Sequence, residues 1–246
     1  MAEGRPELPD GYLGEQPKFS ELQLECINHK NPEFELAQDN EVEIKFRAPK
    51  SIKTTSNLIQ IKPRRRLSIR FGPVSTIDEV IQVRTEKEFP EYVFTQTQGD
   101  VVSFVISFPE HGWYKFQIFA LGVEDESKSL PNVFNYLIDV RRALKAVYPF
   151  PKQYAPWRNG CYLYSPLILN SSSRLHTVNF KTLIPNAKEV AVVAAGEWSK
   201  LKKTSGDIWE GTASLDQHRN KNVKVTLNAS FGDDDTKFAT LLEYVV

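Results

Sequence analysis

Cysteine is scarce in this chain, with two residues among 246, and methionine occurs once. Cys26 and Cys161 lie too far apart to outline a disulfide framework, so a reducing compartment is expected, the cytoplasm above all. Histidine is also sparse, and His29, His111, His176 and His218 are scattered. Cys26 has His29 three residues on but no second pair to complete a zinc site, so no metal is expected. Charge of one sign is missing: 31 basic and 31 acidic residues cancel. No overall field therefore draws the protein toward nucleic acid or an anionic membrane. Long apolar runs are absent too, and the longest, Val190 to Ala195, is far too short to span a bilayer. The opening "MAEGRPELPDGY" has no signal-peptide pattern. No phosphate-binding glycine loop occurs, and no cofactor is expected. Asn170 and Asn228 begin glycosylation-type triplets, read here as chance.

What the sequence does have is strands. "VEIKFRA" puts Val42, Ile44, Phe46 and Ala48 on one face and Glu43, Lys45 and Arg47 on the other. "YKFQIFA" and "VKVTLNASF" alternate in the same way, which marks half-buried strands. No helix longer than about two turns is expected. Ser75 to Val80 could form one turn, and Arg141 to Val147 is either a short helix or a linker.

The chain also repeats itself. "VEIKFRAP" resembles "VNFKTLIP", "YKFQIFALG" resembles "VKVTLNASFG", and "FNYLIDV" resembles "FATLLEY", in the same order. These features predict an all-β protein of two tandem immunoglobulin-like β-sandwich domains. The expected division is an N-terminal extension over 1–17, a first sandwich over 18–142, a proline-containing linker over 143–157, and a second sandwich over 158–246. The first copy is longer by about 27 residues, which places an insertion around 50–90. Pro149, Pro151 and Pro156 should stiffen the linker.

"LPDGYLGEQPKF", "GWYKFQIFA", "FPKQYAPWRNGCYLYSPL" and "IPNAKEVAVVAAGEWSKL…WEG" are similar to the C-terminal half of the kyphoscoliosis peptidase and hillarin family. The resemblance runs from about Leu8 to Val246, with the more specific signatures in the second copy. It implies immunoglobulin-like domains and association with the cytoskeleton, including filamin. The transglutaminase-like cysteine peptidase core of that family would lie before Leu8, where this sequence has seven residues, so no catalytic position maps onto it. The chain is either a piece of a larger protein or a version without the enzyme.

Three local features could carry function. Cys161, in "NGCYLYS", is followed by His176, but a cysteine at the head of a strand is usually a small core hydrophobe, so no catalytic residue is assigned. "PRRRLSIRF" is the densest basic run. It reads first as a solvated loop or strand edge, and otherwise as a clamp for an acidic partner (Arg64, Arg65, Arg66) or a basophilic kinase site at Ser68. The pattern around Trp198 and Trp209 also resembles glycogen-binding sandwich modules, with Trp198, Lys200 and Trp209 as sugar-contacting residues. The size of tryptophan favours another reading, in which Trp209 faces the core and Trp198 plugs the sandwich end.

Two functional expectations follow. One is a non-catalytic scaffold that binds partners, filamin-type immunoglobulin domains among them, through sheet edges. The other is the accessory region of a peptidase whose core lies outside this chain, with carbohydrate binding as a further alternative.

Overall fold

The computed structural model describes residues 4–62, 65–69, 79–83, 85–232 and 237–246, with 65–69 and 79–83 described as backbone. The first half contains β1 (Gly14–Glu15), α1 (Pro17–Glu21), β2 (Glu25–Cys26), β3 (Glu33–Leu36), β4 (Glu41–Arg47), β5 (Ile52–Ile61), β6 (Arg65–Ile69), β7 (Glu79–Val83), β8 (Glu86–Glu88), β9 (Val93–Gln98), β10 (Val101–Ser107), β11 (Gly112–Gly122) and β12 (Asn132–Val140). The second contains β13 (Lys152–Gln153), β14 (Tyr162–Ser165), β15 (Val178–Leu183), β16 (Glu189–Ala194), β17 (Glu197–Lys200), β18 (Lys202–Ser205), β19 (Ile208–Ala213), β20 (Lys224–Ser230) and β21 (Ala239–Val245).

The chain is all-β, built as immunoglobulin-like sandwiches. In the first, the sheet β2-β4-β10-β9 faces β1-β12-β11-β5-β8. In the second, β14-β15-β19-β18 faces β13-β21-β20-β16-β17. The two orders match position by position, except that the first copy adds β3, which pairs parallel with β12. The repeated sequence segments occupy equivalent places: β4 with β15, β11 with β20, and β12 with β21. The two copies differ at one connection in particular. β16 and β17 are joined by the two-residue turn Ala195–Gly196, with φ of 48° and 85°. Positive φ at both positions is the twist-matched hairpin geometry. Between β5 and β8, the first copy instead carries the antiparallel pair β6–β7.

Alternation builds both cores. Ile44 and Phe46 of β4 are buried, whereas Glu43 and Lys45 pair with each other at the surface. Phe46, Phe104, Phe116, Phe134 and Tyr136 pack the first interior, with ring centroids between 4.5 and 6.5 Å apart. α1 starts at Pro17 and buries Phe19 edge-on against Phe46 at 5.6 Å, closing one end of the sandwich. Arg141 to Val147 forms no helix.

Two segments expected to lie outside the sandwiches pair with them. Gly14 and Glu15, placed in the extension by sequence, pair with Asn135 and Phe134 of β12. Lys152 and Gln153, placed in the linker, pair with Glu243 and Leu242 of β21.

The junction is packed. Phe94 of β9 lies in the hydrophobic cluster of the second sandwich, beside Phe150 and Trp157 at 6.0 and 5.7 Å. The Gln153 side chain imitates a neighbouring strand. Its Oε1 accepts from the Thr95 N–H at 3.1 Å, and its Nε2 donates to the Thr95 carbonyl. Trp157 Nε1 donates to that same carbonyl at 3.1 Å, and the Leu163 N–H donates to Gln96 Oε1 at 3.0 Å. At Thr95 the outer edge of β9 is therefore capped by side chains, which satisfies backbone groups that an edge strand otherwise leaves open.

Candidate functional site

β17 and β18 are consecutive edge strands, one in each sheet of the second sandwich, linked by Leu201. The Leu201 N–H donates to the Val190 carbonyl at 2.9 Å, in register with the Ser199–Val192 and Glu197–Ala194 pairs. Antiparallel pairing alternates, so the backbone N–H and C=O of Trp198 and the N–H of Lys200 point away from the sheet, whereas the Lys200 carbonyl lies against Gly211 of β19. Among the described residues, no strand pairs with that outer side.

The switch between sheets at Leu201 explains the W-x-G motif. A Cβ on Gly211 would come within 2.7 Å of Leu201 Cδ2 and 3.3 Å of its Cα. Gly211 thus admits the backbone that crosses from β17 to β18. On the other side of the motif, Gly196 supplies the turn that sets the register of Trp198.

The two tryptophans diverge. Trp209 lies in the core at 6% exposure, with Lys203 Nζ 5.7 Å from its ring centroid. It offers no face to a sugar. Trp198 is 53% exposed and packs edge-on against Phe238 at 4.9 Å. The expectation that Trp198 plugs the sandwich end is therefore corrected: β17 is an edge strand, and its side chain lies on an outer surface. Lys200, two residues on, holds Glu189 at 2.9 Å. The set Trp198, Lys200 and Trp209 does not converge into one carbohydrate platform. Phe238 was missed by sequence reasoning, because it precedes β21, which is separated from β17 by β20 and β16, and the contact leaves no local pattern.

The other candidate residues lie elsewhere. Arg64 is outside the described residues. Arg65, Arg66 and Ser68 lie on β6, where they pair with Val83, Gln82 and Val80 of β7, and their side chains are outside the described set. Cys161 is buried, with its Sγ 3.8 Å from the Pro156 carbonyl. Burial pushes its thiol up to about 12, opposite to the shift that activates a nucleophile. Burial likewise pushes Cys26 up to about 11, and both cysteines are free. Asn228 is buried and bonded to Thr226 and Thr240, so its amide is not presented for glycosylation. Among the described residues, no group of three or more His, Cys, Asp and Glu could hold a metal, and no helix is long and apolar enough to cross a membrane.

A family model described as KY-like, immunoglobulin-like domain matches residues 9–151, more than half of the chain. The chain belongs to this family. The match covers the first sandwich together with Gly14–Glu15 of β1, and ends at the connector that packs against β9. The KY-like signature thus falls on the first copy, whereas the second copy carries the motifs that looked more specific in sequence. No curated protein matches the chain at a significant level. The family describes an immunoglobulin-like module, and no catalytic family model accompanies it.

Proposed function

We propose that the chain is a non-catalytic, cytoskeleton-associated interaction module that takes partners by pairing at sheet edges. The outer edge of β17 carries this reading. It presents the backbone N–H and C=O of Trp198 and the N–H of Lys200, with a half-exposed tryptophan beside them. A partner strand laid there gains main-chain hydrogen bonds, and Trp198 with Phe238 supplies apolar contact. Lys200 discourages indiscriminate pairing of that edge, a common protection for free strands, and Lys202 and Lys203 do the same for β18. Membership of the KY-like family supports a filamin-type immunoglobulin domain as partner, in the cytoplasm.

Pull-down with filamin-type immunoglobulin domains tests the reading. Trp198→Ala should weaken capture by about tenfold or more, as for an aromatic anchor at an interface. Lys200→Pro removes an outward N–H and should abolish capture without unfolding the strand. Capture that survives both substitutions removes β17 from consideration. Retention on a glycogen column that Trp198→Ala eliminates would favour the carbohydrate alternative instead.

A further inference from the structure

The first sandwich has an open edge of its own, separate from β17 of the second. β5 pairs with β8 only through Ile59–Ile61. The Phe89 N–H donates to the Leu58 carbonyl, and the Lys62 N–H donates to the Thr85 carbonyl. Even-numbered residues of β5 therefore turn their backbone groups to the β8 side. After Phe89 the chain leaves through the turn Pro90–Tyr92 and crosses to β9. Ile52, Thr54 and Ser56 are left with outward N–H and C=O groups that no strand takes up among the described residues.

That edge borders a cavity of about 470 Å3, with Ile52, Thr54 and Ser56 on one side and Val93, Thr95 and Thr97 of β9 on the other. Phe150, Gln153 and Trp157 from the junction close one end. A neighbouring recess of about 420 Å3 shares Ile52, Thr97 and Arg158, so the two form one groove running toward Lys50 and the half-exposed Val123. Its charge is mixed, with a net positive excess. Lys50, Lys152 and Arg158 line it and form no ion pair among the described residues. Against them stand Glu91 and Asp100, and Asp100 is engaged by Arg47 at 3.4 Å.

We infer that this junction groove receives an extended acidic segment of a partner polypeptide, added as a strand to Ile52–Ser56 with its carboxylates held by Arg158 and Lys50. Outward peptide groups supply the hydrogen bonds of strand addition, and the cations supply charge-assisted ones. The groove walls come from β5, β9 and the junction together, so the bound segment would touch both sandwiches. The inference shares the premise that the chain is an interaction module, but it does not depend on β17.

Fluorescence anisotropy of the full chain with a short labelled peptide alternating glutamate and threonine tests it, with the lysine–threonine peptide as control. The acidic peptide should bind, and Arg158→Glu should weaken it at least tenfold. Thr54→Pro should abolish binding, while Lys200→Pro on the other edge should leave it unchanged. Absent binding, equal affinity for both peptides, or loss through Lys200→Pro alone would overturn the proposal. Should Thr54→Pro fail to fold, amide exchange decides. Slowed exchange at Thr54 and Ser56 on adding the acidic peptide supports the site, and unchanged exchange rejects it. Self-association abolished by Arg158→Glu, with no peptide binding, would assign the groove to a second copy of the chain and refute the acidic partner.

Discussion

Replacing Trp157 with alanine tests whether the two sandwiches are energetically joined. Trp157 is 1% exposed, its ring lies 5.7 Å from Phe94, and its Nε1 donates to the Thr95 carbonyl at 3.1 Å. Truncating a buried tryptophan costs about 3–5 kcal/mol. Most of that loss should fall on the second sandwich, whose core holds the ring. Phe94 and Thr95, however, belong to β9 of the first. An aromatic pair contributes roughly 0.5–1.5 kcal/mol beyond its burial, and a hydrogen bond about 1 kcal/mol. The first sandwich should therefore lose about 1.5–2.5 kcal/mol as well. Trp157→Phe keeps most of the ring but not the donor, and should cost the first sandwich only about 1 kcal/mol. The assay is urea unfolding of the full chain, followed by amide NMR signals from each sandwich separately. A double-mutant cycle with Phe94→Ala should yield a coupling of about 0.5–1.5 kcal/mol. An unmoved midpoint for the first sandwich, together with a coupling below about 0.3 kcal/mol, would refute the packed junction.

Three further outcomes are expected. Gly211→Ala should destabilise the second sandwich by about 1–3 kcal/mol in chemical denaturation, because the added methyl meets the Leu201 backbone. Ala195→Gly should raise the melting temperature slightly, since an alanine at φ of 48° is strained there by about 1 kcal/mol. Alkaline pH should destabilise the chain. The Cys161 thiol is pushed up by burial from 9.0 to about 12, so its contribution is fully present below pH 9 and is lost as pH rises toward 12. Stability measured from pH 8 to 11 should fall less steeply in Cys161→Ala than in the parent, by up to about 1.4 kcal/mol per pH unit. Parallel slopes would show that the thiol ionises normally in the fold.

The strands and their duplication were legible because alternation is local. Val42, Ile44 and Phe46 announce an inward face without reference to any other segment, and the matching "VNFKTL" does the same for β15. The burial of Trp209 and Cys161 was legible on the same ground, since each sits on or beside a strand with a clear inner face. Edge status was not legible. Whether β17 or the first half of β5 has a neighbour depends on where the chain turns, and four residues such as Glu197–Lys200 carry too little pattern to show it. Trp198 was therefore placed at a sandwich end, while the fold leaves it on an open strand. The role of Gln153 was equally hidden, because a side-chain amide acting as a strand's partner has no sequence period. The pairing of Gly14–Glu15 with β12 escaped notice for a different reason: a two-residue strand among prolines and glycines produces no alternation at all.

The edge of β17 can be tested most directly by amide hydrogen exchange of the full chain, alone and with a saturating filamin-type immunoglobulin domain. The account predicts that exchange slows at Trp198 and Lys200, whose N–H groups face outward, while Ser199, already paired with Val192, changes little. Binding without added protection at Trp198 and Lys200 would contradict it.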